Sequence, residues 1–292
     1  MDFLDLLGRL ASLDTPAAAP RRSALSRLSN AGTVLLPGLL TALATPAQAG
    51  TQNTRTPLDA FKLVLRYENL QAAFYTQALS FQSLFTNAAD VLSAVRLIQG
   101  QQKQHATALA TIISNSGSAQ DATPSYDFTG SRNGTQGAQY PDVFTNLNTF
   151  LQVAQLLKDA SVRVYKGQIS FLQADNNLLE TAVRLHSTEA RHAAHIRTLR
   201  RRRGVSVKSW VSPSDAPITG VAADAAYNGE ANTTQYVAFN NAVTRVPFDS
   251  SLPINVGTPP LSAAAVLAKV AEAFDEPVEA SVATDLLRQF TY

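Results

Sequence analysis

Four long segments with apolar residues at alternating three- and four-residue steps constrain the fold of this chain more than any other feature. This spacing places the apolar side chains along one face of an α-helix. The segments cover about residues 56–79, 88–113, 146–172 and 175–203. The connections within the first pair and within the second pair are short, whereas residues 114–145 contain several glycines and prolines and no periodic pattern. The sequence therefore predicts two antiparallel helical hairpins joined by one long connection.

A four-helix bundle with a single long crossover connection is the ferritin-like arrangement. The residues at the predicted helix ends agree with it, because Thr56 and Pro57 suit a cap and a first helical position, and Gly204 suits the end of the fourth helix. The predicted fold class is all-α. It is a ferritin-like four-helix bundle with one long crossover connection, plus an irregular C-terminal tail that ends in one or two short helices.

The C-terminal tail comprises residues 204–292. Residues 205–260 are rich in Ser, Asn, Thr, Gly and Pro, and the short strand-like piece at 236–239 does not imply a sheet. Amphipathic helices are predicted at about 262–274 and 278–289. We expect the tail to wrap the bundle and to cover its apolar outer faces. A homodimer interface in this region stays open as the alternative.

Residues 1–49 resemble a bacterial twin-arginine export signal. Arg21-Arg22 precedes a weakly apolar run at 31–44 that is too short and too interrupted to span a bilayer, and Ala47-Gln48-Ala49 offers small residues to a signal peptidase. The predicted location is therefore outside the cytoplasm, in the periplasm or cell envelope, and no transmembrane segment is expected in the mature chain. The predicted division of the chain is 1–49 export signal, 50–203 four-helix bundle and 204–292 C-terminal extension.

The composition excludes several classes of site and partner. The chain has 24 Lys and Arg residues against 22 Asp and Glu residues, and its net charge of +2 gives no general electrostatic reason to expect nucleic acid as a partner. It contains no cysteine, which excludes disulfides, thiolate metal sites, iron–sulfur clusters and a cysteine nucleophile. With only four histidines, the positions at which they fall become informative.

Polar residues interrupt the apolar face of each predicted helix within a turn of its midpoint. The interruptions are Glu68 on the first helix, Gln102 and His105 on the second, Lys158 and Ser161 on the third, and Glu189 and His192 on the fourth. When the helices pack antiparallel, these side chains converge on one layer of the core. Burying them without partners costs several kcal/mol each. They must therefore satisfy each other, or a ligand must satisfy them.

The layer resembles the di-iron carboxylate site, which takes a glutamate from each of two helices and a Glu-x-x-His motif from each of the other two. Glu189-Ala190-Arg191-His192 matches that motif in full, whereas Gln102-Lys103-Gln104-His105 has glutamine where the glutamate belongs. Glutamate and histidine at this spacing lie on adjacent turns of one helix face and can reach a shared metal.

The first and third helices complete the resemblance. Glu68 stands seven residues before Tyr75, as in the first-helix element of the family, and Lys158 stands seven residues before Tyr165, where the family has its second lone glutamate. The resemblance covers residues 56–203 and is greatest to the exported bacterial ferritin-like proteins related to plant desiccation-related proteins. The tail segment Phe274-Asp275-Glu276-Pro277 is also similar to this group.

The two substitutions change the charge of the site. An intact site offers four carboxylates to two divalent cations, whereas here Gln102 and Lys158 replace two of the four. Without metal, Glu68, Glu189 and Lys158 sum to −1, and one protonated histidine would make the layer neutral. Because a lysine ammonium can supply the charge that a metal would otherwise supply, di-iron oxygen chemistry is not expected.

Three arrangements of the layer stay open. In the first, Lys158 bridges the two glutamates, Gln102 and the histidines complete the hydrogen bonds, and the site has lost its metal. In the second, the two glutamates and the two histidines bind one Zn²⁺, Mn²⁺ or Fe²⁺, for which they are an adequate tetrahedral set. In the third, Asp159 replaces the missing glutamate through a local shift of the helix, although one residue rotates the side chain by about 100° away from the face.

The first arrangement predicts an exported, non-enzymatic protein with a degenerate di-iron site, no cofactor, and a structural or stress- and desiccation-related role implied by the resemblance. The alternative is a mononuclear metal-binding protein or metalloenzyme in oxygen or peroxide chemistry. Its predicted ligands are Glu68, His105, Glu189 and His192, with Tyr75 and Tyr165 packed or hydrogen-bonded beside the layer.

A basic run, Arg197 and Arg200–Arg203, lies at the predicted end of the fourth helix. It is expected to be a solvated helix end, with contact to anionic envelope polymers or lipids as the alternative.

Overall fold

The computed structural model describes residues 55–239, 242–246 and 262–292. The predicted export signal at 1–49 therefore lies outside the described residues. Seven α-helices occur in the described part of the chain: α1 Pro57–Ser80, α2 Ala89–Asn115, α3 Leu147–Gln168, α4 Asn176–Arg202, α5 Val221–Tyr227, α6 Ala263–Glu272 and α7 Ala280–Arg288. Short 3₁₀ turns at Gln82–Phe85 and Ile169–Phe171 follow α1 and α3.

The first four helices form the predicted bundle. α1 packs mainly against α2 and α3 mainly against α4, and contacts of α1 with α3 and of α2 with α4 join the two hairpins. The predicted all-α, ferritin-like bundle with one crossover is thus confirmed. The helices stay together because each buries its apolar face in one shared core.

The helix ends are fixed by the residues that the sequence places there. Thr56 accepts a hydrogen bond from the Asp59 backbone N–H at 3.1 Å, and the Asp59 carboxylate accepts one from the Thr56 N–H at 2.9 Å, so the two residues form a capping box. Asn146 and Asp175 cap α3 and α4 through their side chains. Gly204 follows α4 with φ +86°, a left-handed conformation that glycine adopts without strain.

The long crossover is part of the core. Its aromatic residues Phe128, Tyr140 and Phe144 are buried. The Phe74 ring of α1 lies 5.1 Å from the Phe128 ring and 5.1 Å from the Phe150 ring of α3, measured between centroids. Aromatic contacts of this kind add to the free energy of burial. They join the crossover to both hairpins at one end of the bundle.

The C-terminal tail packs on α1 and on the crossover through α7. The Tyr67 hydroxyl of α1 donates to the Ala283 carbonyl at 2.8 Å, and the Asp127 N–H of the crossover donates to the Phe290 carbonyl at 2.9 Å. Phe290 is fully buried. The last helix therefore covers apolar surface that α1 and the crossover would otherwise expose.

Two small elements of the tail differ from the sequence-based expectation. Strands β1 Gln235–Phe239 and β2 Ala242–Val246 pair antiparallel, where no sheet was expected. Helix α5, Val221–Tyr227, was not predicted, because seven residues are too few to show a helical period. Both elements are short enough for tertiary contacts to outweigh local propensity.

The tail crosses α3 at a glycine. The Glu276 carbonyl accepts from Arg163 Nε at 2.6 Å, and the Val278 N–H donates to the Arg163 carbonyl at 3.3 Å. A Cβ atom built on Gly167 would lie 2.1 Å from the Val278 carbonyl oxygen. This distance is far inside van der Waals contact, so the tail can lie this close to α3 only because residue 167 has no side chain.

Replacing Gly167 with alanine is expected to push the tail off α3 and to lower the free energy of unfolding by about 1–3 kcal/mol, the usual cost of overpacking. The matched control is Gly100→Ala in the middle of α2, where a Cβ meets nothing within 4 Å. That change should stabilise the protein by roughly 0.5–1 kcal/mol through helix propensity. Denaturant unfolding measures both variants, and equal effects would contradict the close approach at Gly167.

Candidate functional site

The polar interruptions of the four helices meet in one buried layer, as their positions in the sequence predict. Glu68, Gln102, Lys158 and Glu189 have no solvent exposure, and His105 is 9% exposed. His192 is 6% exposed and Ser161 is fully buried. The layer reaches solvent only along its histidines, between α2 and α4.

Lys158 forms the ion pair at the centre of the layer. Its Nζ atom lies 2.8 Å from Glu189 Oε2 and 3.4 Å from His192 Nδ1. It also lies 5.6 Å from the centroid of the Tyr75 ring, within the range of a cation–π contact. The structure differs from the expected bridge in one respect, because Lys158 pairs with Glu189 alone while other residues hold Glu68.

Glu189 is the most heavily hydrogen-bonded member of the layer. Its Oε1 atom accepts from Gln102 Nε2 at 2.6 Å and lies 3.4 Å from His105 Nδ1 and 3.3 Å from His192 Nδ1. Burial alone would raise the pKa of this carboxyl, but the Lys158 ammonium and the two imidazoles hold its pKa well below the ordinary value. Glu189 is therefore the fixed negative charge of the site.

Glu68 is held from the opposite side of the layer. Its Oε1 atom accepts from the Tyr165 hydroxyl at 2.5 Å, and its Oε2 atom lies 3.4 Å from His105 Nδ1 without a well-aligned hydrogen bond. Burial, together with the charge of Glu189, raises the pKa of the Glu68 carboxyl. The two carboxylates of the layer thus differ in how readily they ionise, as expected for like charges that share a site.

The two histidines differ in charge. Burial opposes protonation of His105, but its close contacts with the negatively charged carboxylates of Glu189 and Glu68 outweigh burial and raise its pKa to about 9. For His192, burial dominates and lowers the pKa. Of the two histidines, the raised pKa therefore favours His105 as the protonated one in the sequence-based charge balance.

Three residues could hold a divalent ion. Ligand atoms of Glu68, His105 and Glu189 all lie within 4.8 Å of one another, and the Glu68 Oε2 atom is a buried acceptor without a hydrogen-bond donor. The fourth predicted ligand, His192, lies outside this group, and its Nε2 atom lies 2.6 Å from Gln101 Oε1. This group offers two carboxylates and one imidazole, and the Lys158 ammonium lies 2.8 Å from one of the carboxylates, so the donor set does not fit a pair of irons.

A family model for the ferritin-like domain matches residues 56–202, just over half of the chain. The chain belongs to the ferritin-like domain family. The matched residues begin at the cap of α1 and end at the last residue of α4, so they contain every member of the polar layer. No curated protein sequence matches the chain. Within the described parts of this ferritin-like chain, no helix is long and apolar enough to cross a membrane.

Asp159 does not enter the layer of this ferritin-like bundle, so the arrangement in which it replaces the missing glutamate is wrong. Its carboxylate accepts from Arg197 at 2.9 and 2.5 Å and from the Tyr227 hydroxyl at 2.6 Å. Arg197 in turn donates to Asp215 at 2.6 Å. As the next residue along α3, Asp159 faces about 100° away from Lys158, toward these partners.

The expectation of a solvated basic run at the end of α4 is wrong for two of its members. Arg197 is 1% exposed and Arg200 is 6% exposed, and Arg200 donates to Gln155 Oε1 at 2.6 Å. Spacing contained no signal for the burial of Arg197, because it follows Ile196 directly and so faces about 100° away from it. One of its two carboxylate partners, Asp215, comes from the tail, and no periodic pattern places that residue.

Proposed function

We propose that this ferritin-like protein works without di-iron chemistry and that its polar layer is held together by an internal cation. The observation that carries the proposal is the Lys158 ammonium, which is fully buried and lies 2.8 Å from Glu189 Oε2. It stands in the position where the family has a carboxylate ligand. The layer is a structural element of the core, and the role is non-enzymatic.

Electrostatics favours this arrangement over bound irons. Two unit charges about 4 Å apart interact by about 4 kcal/mol in surroundings typical of protein sites, and a divalent ion doubles that repulsion from an ammonium. The layer contributes two glutamates against Lys158, and a protonated His105 balances the second of them. Adding metal therefore requires the loss of protons from this layer or the displacement of Lys158.

A specific observation favours a second candidate function, binding of one divalent ion. Glu68, His105 and Glu189 form a compact ligand group. A bound Zn²⁺, Mn²⁺ or Fe²⁺ would supply Lewis-acid character, or redox chemistry toward oxygen or peroxide in the case of iron or manganese. In that case Tyr165 would orient Glu68 and Gln102 would orient Glu189 through the hydrogen bonds that they already make.

Metal analysis of the full chain, purified without chelator, separates the two candidates. We expect substoichiometric metal that Glu189→Ala does not change. About one ion per chain, lost in Glu189→Ala, would establish the second candidate and contradict the first. Arg197→Lys is a control outside the layer and should leave the metal content unchanged in either case.

We also propose that the protein is exported and has a structural or stress-protective role. Support comes from Arg21-Arg22, the apolar run at 31–44 and Ala47-Gln48-Ala49 in that order, and from the resemblance to exported desiccation-related members. A fluorescent reporter carrying residues 1–49 should be exported by bacteria with a twin-arginine pathway. Export should fail when Arg21 and Arg22 are both replaced with lysine, and unchanged export would refute this signal type.

A further inference from the structure

The loop that follows α4 displays an exposed tryptophan among basic side chains. Trp210 is 51% exposed, although a tryptophan of a soluble protein is usually well buried. The Lys208 Nζ atom lies 5.9 Å from the centroid of its ring, and Arg201 Nη1 donates to Ser209 Oγ at 3.1 Å. The end of α4 and the loop at 208–210 thus form one continuous surface.

Five basic residues at the end of α4, in the loop at 208–210 and on α6 define what we call the basic surface. They are Arg201, Arg202, Arg203, Lys208 and Lys269. The acidic residues that contact them are Asp90, paired with Arg203 at 2.9 Å, and Glu272, paired with Lys208 and with Lys269. Five cations against two anions leave a net charge of +3 on the basic surface.

Hydrogen bonds to Arg197 and Asp215 fix the backbone of the basic surface. The Trp210 carbonyl accepts from the buried Arg197 at 3.1 Å. The Asp215 carboxylate accepts from the Lys208 N–H at 2.8 Å and from the Ser212 N–H at 3.1 Å. Because the backbone on both sides of Trp210 is anchored to the core, the indole is presented to solvent by a fixed loop.

We propose that the basic surface docks on an anionic lipid bilayer, with Trp210 at the lipid–water interface and the arginines and lysines of this surface against the headgroups. An indole combines an apolar body with a polar N–H and favours this interface. Each basic residue close to an anionic membrane contributes about 1 kcal/mol of attraction. The exposed tryptophan and the net positive charge of the basic surface together match this partner. The indole is held in this position by a hydrogen bond to the Glu272 carboxylate and by the contact of its ring with Lys208. The docking is independent of whether the polar layer binds metal.

The test uses the fluorescence of Trp210 in the full chain, because Trp210 is the only tryptophan and its emission needs no assignment. Vesicles of phosphatidylglycerol and phosphatidylcholine should shift its emission maximum to shorter wavelength, whereas phosphatidylcholine vesicles should not. High salt should reverse the shift. This readout is local, so lipid contact by the apolar run at 31–44 does not mimic it.

Two pairs of substitutions on α4, each of which removes two positive charges, give the matched comparison. Arg201→Gln/Arg202→Gln should raise the lipid concentration that gives half of the emission shift roughly 30-fold. This factor corresponds to the loss of two basic residues at about 1 kcal/mol each. Arg184→Gln/Arg191→Gln removes the same charge from exposed sites elsewhere on α4 and should leave the shift unchanged. An equal effect of the two pairs, or no shift with anionic vesicles, would overturn the proposal. So would an equal shift with a soluble polyanion such as a DNA oligonucleotide.

Discussion

Replacing Lys158 with glutamate is expected to raise the metal affinity of the buried polar layer. The change removes the internal ammonium and adds a third carboxylate to Glu68, Glu189 and His105, which already group their ligand atoms. Without metal, the extra buried carboxylate lacks a cation and the variant should be less stable than its parent. With Zn²⁺ or Fe²⁺, the same carboxylate becomes a ligand.

Metal content and thermal stability measure the outcome. The variant should bind about one ion per chain. Its free energy of unfolding should rise by about 2.7 kcal/mol when free metal is one hundred times its dissociation constant. Lys103→Glu makes the same charge change at an exposed position on α2 and should gain neither property. If Lys158→Glu binds no more metal than the parent, the ammonium is not what keeps metal out of the layer.

The sequence predicts the bundle and its polar layer because both depend on local, periodic features. Apolar spacing defines the four helices, and the long irregular segment at 114–145 requires one crossover. Glu68 and Lys158 interrupt the apolar faces of their helices near the helix midpoints. Because the helices pack side by side, both residues lie in the same layer along the bundle axis. Thr56 marks the start of α1 through its side-chain cap, and Gly204 marks the end of α4 through its left-handed backbone.

The partners of individual side chains could not be predicted in the same way. Lys158 pairs with Glu189 and not with both glutamates, a choice that helix periodicity does not determine. Burial of Arg197 depends on Asp215, which lies in an aperiodic tail. Gly167 carries no side-chain pattern, and its role appears only where the tail crosses α3. Periodicity predicts which side chains share a helix face and how far along the bundle they lie. It does not predict contacts between segments that are distant in the sequence.

The second large effect is expected on the free energy of unfolding, when the buried ion pair between Lys158 and Glu189 is broken. Lys158→Met and Glu189→Gln should each lower the free energy of unfolding by about 3–5 kcal/mol, because each leaves a fully buried charge without its partner. The double variant removes both charges and should cost much less than the sum of the single changes. A double-mutant cycle from denaturant unfolding in metal-free buffer gives this coupling energy.

The exposed pair Glu180–Arg184 on α4 is the matched control for that cycle. Its side chains are 60% and 77% exposed, so Glu180→Gln, Arg184→Met and their combination should show a coupling of about 0.3–0.5 kcal/mol. The difference between the cycles follows from solvent screening, which weakens the exposed pair and leaves the buried pair intact. Additive effects of Lys158→Met and Glu189→Gln would mean that the core cation does not neutralise this carboxylate. The layer would then need another source of positive charge, and a bound metal ion would become the leading candidate.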